Sequence, residues 1–443
     1  MTTPLNKRQN PDTHASGLYF DCHVEDLLLT AELVKDPLRT IKAESLTRNK
    51  HVHTRTLSGV NEMTSRLWDT ALTDIESNIV KTENGTYFGA GKVFGLRIFT
   101  RDIAFSGIFG VNSLYPEIML SSLKVTRDVR FRLGLRVSKG HRVHRLKGNW
   151  IEDPLPLVEF LEKHQTTGYT RRTDDVVWLW AAMDLFERNP DLADWEWMYE
   201  AGLRCFEEFY IPFYDSTDGL YRGQAPFVDI HYPDRKATGY PHTFSVEDCV
   251  LIKSSSGNAL YYQGLKAMAH AAEKVNKTKD AAVWTQKAEA MRKAIISELR
   301  YEDGTFSYFK HADGTLEARR DALGSALLVI TGIVEGEDAR KALKDYPVTW
   351  AGVPLFHPFF SHGGAYHNNT AWPFVDTFFL WAKEIADNKD YTAQNAALLA
   401  RTCIQDGSFH EVTDWGTKEP KGSGSQLWSA SAFVNVCRRA GLL

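Results

Sequence analysis

A strong helix signal lies in the stretch Thr173-Asp-Asp-Val-Val-Trp-Leu-Trp-Ala-Ala-Met-Asp-Leu-Phe186. Its two early aspartates, Asp174 and Asp175, suit the start of a helix, because the helix dipole places partial positive charge there. A second helical pattern runs from about Trp195 to Tyr210. The two patterns predict a pair of consecutive helices.

Similar pairs recur on both sides of this stretch. Upstream, apolar positions at helical spacing predict a helix over residues 61–80 and another over residues 99–123, with a weaker pattern near 24–34. Downstream, helices of similar length follow one another at 251–275 and 280–299, 318–334 and 337–345, 370–387 and 391–404, and a last helix covers 425–440. Strand signals are few and short. About twelve helices in pairs predict an all-α ring of helical hairpins with inner and outer helices.

The composition is that of an ordinary globular protein. The chain has 443 residues, a formal net charge of -4 and no basic block, so nothing points to nucleic acid or to an anionic membrane surface. The scattered cysteines form no CxxC pair, and we expect them to be reduced and mostly buried; they are Cys22, Cys205, Cys249, Cys403 and Cys437. No stretch is apolar enough for a membrane helix, and the first residues lack the apolar region of a signal peptide. We therefore expect a cytoplasmic protein, or a periplasmic one if a signal peptide was trimmed.

The region 407–428 reads as a loop that carries an acid or a base into a pocket. Glu411 lies among aromatic residues, with Trp415 and Trp428 on its C-terminal side. Because the apolar faces of pyranose rings stack on indoles, a carboxylate close to tryptophans suggests a sugar site. Two alternatives stay open, which are an ion pair between Glu411 and Lys418 or Lys421, and a site built on Asp414 or Glu419 of the same loop.

A second carboxylate, Asp229, lies in a long loop between Tyr214 and Asp248. Long loops inside compact proteins are often functional. The neighbours of Asp229 are apolar, and an apolar setting raises the pKa of a carboxyl group, as a general acid requires. Alternatively, Asp229 has a structural role and caps a turn. Glu247 and Asp248 are rival acids, but they come just before a predicted helix, where acidic residues are common.

Four stretches together resemble the six-hairpin glycosidases, in particular glycoside hydrolase family 63 and the amylo-1,6-glucosidases. They are Phe99-Thr-Arg-Asp-Ile103, Phe227-Val-Asp-Ile230, Tyr366-His-Asn-Asn-Thr-Ala-Trp-Pro-Phe374, and Glu411 followed by Gln426-Leu-Trp-Ser-Ala430. The resemblance covers roughly residues 58–440. It implies an (α/α)6 barrel that hydrolyses a small α-linked glycoside or oligosaccharide, exo-acting and with inversion.

The resemblance also implies roles for individual residues. Asp229 matches the general acid and Glu411 the general base. Four residues match positions that line the glycone pocket, namely Arg101, Asp102, His367 and Trp372. We expect four more to bind the substrate beside them: Asn368, Trp415, Gln426 and Trp428. We expect Arg101, Asp229, His367 and Glu411 to converge on one cleft, with the two catalytic carboxyl groups roughly 6.5–9.5 Å apart, the spacing that admits a water molecule.

The sequence departs from the family in two places. Ile230 and His231 stand where related sequences tend to carry Trp-Arg, which bears on the leaving-group subsite and hence on the substrate. Only about 57 residues of this sequence precede the first barrel helix, so we do not expect the N-terminal β-sandwich that is common in such enzymes. We expect residues 1–57 to be a partly disordered extension and residues 58–443 to be the catalytic barrel.

Several alternatives remain open at this point. Arg101 and Asp102 could cap a helix, His367 could be a core histidine, and Asp174 or Asp175 could reach the pocket. The same ring of helices also suits a sugar epimerase, a lyase or unsaturated glucuronyl hydrolase, and a non-catalytic sugar-binding protein. We expect a saccharide as the only partner and no metal or organic cofactor, because no His/Cys cluster has ligand spacing. The sequence leaves the oligomeric state open.

Overall fold

The computed structural model describes residues 55–82, 85–94, 98–126, 173–209, 213–228, 239–244, 246–349, 351–361, 366–403, 405–417 and 419–443. The weak helix near 24–34 and most of the predicted extension, up to residue 54, lie outside the described residues. So does the segment that contains Asp229, Ile230 and His231.

Helices dominate the described chain. They are α1 (Glu62–Ser77), α2 (Thr100–Ser106), α3 (116–126), α4 (Thr173–Arg188), α5 (Trp195–Arg204), α6 (Val246–Leu251), α7 (Ser255–Lys274), α8 (Thr278–Leu299), α9 (Ala322–Ile330), α10 (Gly336–Leu343), α11 (Pro373–Asp387), α12 (Thr392–Arg401) and α13 (Leu427–Arg439). Four helix starts carry the local signal expected of them, because the side chains of Asn61, Asp194, Ser254 and Asp321 each accept a hydrogen bond from a backbone N–H in the first turn.

The helices form two concentric layers. The inner layer is a closed ring in the order α2, α4, α7, α9, α11 and α13, in which each helix packs against the next and α13 returns to α2. Outer helices cover the ring, with α1 on α13, α5 on α4 and α7, α8 on α7, α10 on α9 and α11, and α12 on α11 and α13. This arrangement confirms the predicted all-α (α/α)6 barrel.

One predicted helix is broken. The pattern over residues 99–123 predicted a continuous helix, whereas α2 passes into a π-helical turn at Gly107–Val111 and the chain bends at Tyr115 before α3. Gly110 has a φ of 137°, and a Cβ at this position would lie 2.8 Å from Cγ1 of Val434 on α13. Glycine therefore permits both the bend and the close approach of α13.

The strands are short, lie in the segments that connect the helices, and pair in antiparallel fashion. They are β1 (Ile79–Thr82), β2 (Gly85–Phe88), β3 (Tyr214–Asp215), β4 (Leu220–Tyr221), β5 (Lys253–Ser254), β6 (Phe309–Lys310), β7 (Arg320–Asp321), β8 (Phe356–His357), β9 (Thr370–Ala371), β10 (Val412–Asp414) and β11 (Pro420–Lys421). In the one three-stranded sheet of the described chain, β10 lies between β11 and β9, with Thr413 opposite Ala371. This sheet joins the loop of Glu411 to the segment that precedes α11.

Two further expectations concern cysteines and membranes. Four cysteines, Cys205, Cys249, Cys403 and Cys437, are free and buried, as expected, and Cys22 lies outside the described residues. Within the part of the chain that the structure describes, no helix combines the length and the apolar character that crossing a membrane requires.

Candidate active site

The first residues of four inner helices carry many of the predicted site residues. Arg101 and Asp102 lie in the first turn of α2, and Asp174 lies in the first turn of α4. Trp372 directly precedes α11 and Gln426 directly precedes α13. All five side chains are buried at the starts of inner helices, which is where we expect the substrate pocket.

Two contacts tie these helix starts together. The Arg101 Nε atom lies 2.8 Å from Oδ1 of Asp174, which forms a buried ion pair between α2 and α4. The Gln426 side chain donates a hydrogen bond of 3.1 Å from Nε2 to Oδ1 of Asp102, which joins α13 to α2. Both contacts run across the ring and not along one helix, so Arg101 and Asp102 do more than cap α2.

Asp102 is held in an environment that favours its neutral form. Its pKa is raised from 3.8 to about 8, chiefly by burial, and the charges of Glu411 and Asp174 act in the same direction, whereas Arg101 opposes them. A carboxyl that is largely protonated at neutral pH can donate a hydrogen bond to a sugar hydroxyl as well as accept one.

Glu411 is buried and held from two sides. The hydroxyl of Tyr366 donates to Oε1 of Glu411 at 2.8 Å, and the backbone N–H of Ser423 donates to Oε2 at 3.1 Å. The backbone N–H of Glu411 in turn donates to the Ser423 carbonyl at 2.9 Å. Gly422 has a φ of 77°, and a Cβ there would lie 2.3 Å from Oε2 of Glu411, so only glycine lets the backbone lie against the carboxylate.

The structure shows which partners the other charged residues of the Glu411 loop have. The Lys421 Nζ atom lies 2.6 Å from Oδ2 of Asp414, so Lys421 pairs with Asp414. Burial opposes ionisation of Asp414, but Lys421 and nearby backbone donors hold the pKa of that carboxyl below its ordinary value. Glu419 is half-buried and contributes its carbonyl to a hydrogen bond from Asp414. Lys418 lies outside the described residues.

Aromatic rings surround the pocket residues. The His367 ring stacks on Trp372 at 5.5 Å with an interplanar angle of 6°, and the Trp428 ring lies 5.8 Å from Trp372. Phe374 stacks on Trp428 at 4.2 Å, and Phe227 lies 5.1 Å from Trp372. These rings form one cluster, which we call the pocket aromatics: Phe227, Tyr366, His367, Trp372, Phe374 and Trp428.

Two predicted pocket residues have contacts elsewhere. Trp415 packs with Phe359, Ala351 and Ala371 in a small apolar cluster that is separate from the main core. Asn368 holds the backbone of Phe360, accepting from its N–H and donating to its carbonyl, both at 2.9 Å. Their place in substrate binding stays a prediction.

Asp229 lies outside the described residues, so its role stays a prediction. The described chain leads to Val228, and the Phe227 ring is already among the pocket aromatics. The Val228 carbonyl accepts hydrogen bonds from the Gln224 side chain at 2.6 Å and from the Tyr240 hydroxyl at 3.0 Å. The described chain is therefore firmly held up to the residue before Asp229.

The rival acids differ in their placement. Asp175 is buried in the first turn of α4, next to Asp174. Asp248 is exposed on α6, and the side chain of Glu247 lies outside the described residues. The neighbouring carboxylate of Asp174 contributes to the raised pKa of Asp102.

Sequence reasoning missed three residues that build the site. Tyr366 was part of a recognised motif but was not assigned a role, and Ser423 contributes through its backbone. Asp174 was read mainly as an acidic residue at a helix start. Each acts through a partner at least eleven positions away, and local spacing carries no information about such pairs.

Comparisons with known proteins support a glycosidase. Residues 231–429 match the family model for the mannosylglycerate hydrolase MGH1-like glycoside hydrolase domain. No curated protein matches the sequence. Among solved structures, a glycosidase variant in complex with glucose is 18% identical, with a TM-score of 0.59, covering 87% of this chain and 100% of that one.

A second similar structure is the GH63 mannosylglycerate hydrolase from Thermus thermophilus, in complex with Tris and D-glycerate. It is 13% identical, with a TM-score of 0.53, and the match covers 83% of this chain and 99% of that one. An uncharacterised conserved protein from the same organism is 16% identical, with a TM-score of 0.53 and the same coverage. The structural likeness confirms the six-hairpin fold, and the match of residues 231–429 to a glycoside hydrolase domain supports glycoside hydrolase activity.

Proposed function

We propose that the protein hydrolyses a small α-linked glycoside with inversion, releasing one sugar at a time from the chain end, and that Glu411 is the general base and Asp229 the general acid. The observation that carries the proposal is the setting of Glu411. Its carboxylate is buried beside the pocket aromatics, accepts one hydrogen bond on each oxygen, and acts electrostatically on Asp102.

The proposed reaction is a single displacement at the anomeric carbon. Glu411 takes a proton from water, the water oxygen bonds to the anomeric carbon, and the glycosidic C–O bond breaks on the opposite face. Asp229 gives its proton to the departing oxygen. Each carboxyl group therefore changes protonation once, and release of the products and exchange with solvent restore both.

The other pocket residues would bind the sugar. Arg101 carries charge-assisted donors, and Asp102 in its neutral form can donate to one hydroxyl and accept from another. The faces of Trp372 and Trp428 offer apolar surface to the C–H groups of a pyranose. We further propose that residues 58–443 form the catalytic domain and residues 1–57 an extension outside it.

We propose an α-hexosyl D-glycerate as the first substrate to test. The support is the name of the matching domain family and the D-glycerate bound to the Thermus enzyme. The departure at Ile230 and His231 bears on the leaving-group side, so α-linked disaccharides belong in the same panel.

The test is a panel of 4-nitrophenyl α-glycosides, α-hexosyl D-glycerates and α-linked disaccharides, each with its β-linked counterpart. We expect at least one α-linked compound to be hydrolysed and its β-linked counterpart to be untouched. The Glu411→Gln variant, purified in the same way as the wild type, serves as a control for contaminating glycosidases. Cleavage of β-linked compounds alone would overturn the proposal.

A further inference from the structure

The hydroxyl of Tyr366 and the backbone N–H of Ser423 donate hydrogen bonds to different oxygens of the Glu411 carboxylate. The two hydrogen bonds measure 2.8 Å and 3.1 Å. A carboxylate has lone pairs for about four such bonds, and Tyr366 and Ser423 each use one on a different oxygen. Because the two donors hold different oxygens, they fix both the position and the plane of the group.

Tyr366 is itself held in place. Its carbonyl accepts hydrogen bonds from Thr370 Oγ1 at 2.9 Å and from Trp372 Nε1 at 3.2 Å. Its ring lies edge-on to His367 at 4.6 Å and to Trp372 at 5.1 Å. The hydroxyl is therefore aimed at Glu411 by the same segment that leads into α11.

The second donor is anchored as well. The Ser423 hydroxyl accepts from the backbone N–H of Val93 at 3.1 Å and donates to the Gly424 carbonyl at 2.9 Å. The segments of Tyr366 and Ser423 thus hold Glu411 directly, and Val93 holds Ser423. A carboxylate held this firmly loses little entropy when it takes up its reactive geometry.

We propose that Tyr366 is a positioning residue that acts through Glu411, a role that rests on the proposed function of Glu411 as the base. Its hydroxyl orients the carboxylate toward the attacking water. A hydrogen bond to the charged form also favours ionisation, which a general base requires before it can accept a proton.

The first test is the Tyr366→Phe variant, with Tyr391→Phe as the matched control. The Tyr391 hydroxyl donates to Oδ2 of Asp387 at 2.8 Å, so the control deletes the same kind of hydrogen bond on the exposed side of the barrel. We expect Tyr366→Phe to lower kcat by about 10- to 100-fold with little change in KM, since one charge-assisted hydrogen bond is lost. Tyr391→Phe should stay within about twofold of wild type.

Two further readouts separate positioning from a merely structural role. The acid limb of the kcat–pH profile should move to higher pH in Tyr366→Phe, because the ionised carboxylate has lost a donor. The loss in kcat should be equal for aryl glycosides with good and poor leaving groups, because protonation of the leaving group is not affected. An unmoved acid limb, or a loss confined to poor leaving groups, would contradict the proposal.

A double-mutant cycle separates this inference from the assignment of Glu411. In a Glu411→Gln background, Tyr366→Phe should have no further effect on the residual turnover, because its partner carboxylate is gone. An equal loss in both backgrounds would mean that Tyr366 acts on the substrate and not through Glu411. If Glu411→Gln alone leaves turnover intact, the proposed base is wrong, which is a separate outcome.

Discussion

Two groups of acidic residues in this protein differ both in how they are neutralised and in how deeply they are buried. The loop network joins β3, β4, β5 and β6 and pairs acidic with basic side chains; its members are Asp215, Asp218, Glu298, Arg222, Lys253 and Lys310. The pocket carboxylates are Asp102, Asp174 and Glu411. Among the residues the structure describes, Arg101 is the cation that acts on Asp102.

The pKa values follow from this difference. In the loop network, burial would raise the pKa of Asp215, but Lys253, Thr217 and Arg222 outweigh burial and hold that pKa well below its usual range. In the pocket, burial and neighbouring carboxylates raise the pKa of Asp102 to about 8 against the opposing effect of Arg101. The protein neutralises buried acids that support the fold and leaves those at the site with too little positive charge, as functional sites often do.

The largest expected effect is on the base of the pocket. Glu411→Gln keeps the size of the side chain but removes the proton acceptor, so turnover should fall by about 10²- to 10⁴-fold on every substrate. Asp414→Asn, in the adjoining strand β10, should keep most of the turnover, because Lys421 already pairs with that carboxylate. Steady-state assays decide this, with circular dichroism to show that both variants are folded. Equal losses in the two variants would remove the distinction between the pocket and its surroundings.

The second expected effect concerns Asp229. Asp229→Asn should lower turnover by about 10²- to 10⁴-fold on substrates with poor leaving groups. A nitrophenolate leaves without protonation, so 4-nitrophenyl glycosides should be partly rescued, whereas Glu411→Gln should stay inactive on them. The measurement is kcat against leaving-group pKa for both variants. A uniform loss across leaving groups would argue against Asp229 as the acid and bring Asp175, Glu247 and Asp248 into consideration.

The third prediction tests the loop network. Lys253 lies 2.6 Å from Asp215 and 2.5 Å from Asp218, so Lys253→Met leaves two buried carboxylates without a shared partner. We expect a loss of about 3–5 kcal/mol in unfolding free energy, the typical cost of breaking a buried ion pair. Denaturant unfolding measures this change. The kcat of the folded variant should stay near the wild-type value, and a large fall in kcat would contradict a purely structural role.

The fourth prediction, with the smallest expected effect, concerns how Asp102 changes the stability of the protein with pH. The folded-state pKa of Asp102, about 8, lies above its ordinary value of 3.8, so the folded protein binds more protons across this window and wild-type stability falls as pH rises through it. Asp102→Asn removes this cost and should raise stability at pH 8 by about 1–3 kcal/mol relative to wild type, with no gain below pH 4. Melting curves at several pH values check this. A destabilised variant at pH 8 would mean that Asp102 is well paired, like Asp215.

The sequence predicts the helices of this fold better than it predicts their contacts. Apolar spacing located α4, α8 and α13 to within a few residues, because each helix buries one face regardless of its partner. The break at Gly110 was not predicted, since it depends on the approach of Val434 from the other end of the chain. The closure of α13 onto α2 likewise has no local signal.

The same limit applies to the site. The sequence singled out Glu411 and Gln426, but not the partners that fix them, because Tyr366 and Asp102 come from distant segments. Trp415 was predicted to share the pocket with Trp428 because both are close to Glu411 in sequence. In the structure, the ring partner of Trp415 comes from a distant segment, for which the local sequence carries no signal. Trp415 packs instead against Phe359.

The central claim is that Glu411 activates a water molecule in an inverting reaction. Proton NMR of the first-formed product tests this most directly, using an α-linked substrate of the wild-type enzyme and spectra recorded before mutarotation. The account predicts the β-anomer of the released sugar as the first product. An α-anomer formed first, together with azide rescue of Glu411→Ala to give a product of retained configuration, would show that Glu411 is a nucleophile and would contradict the account.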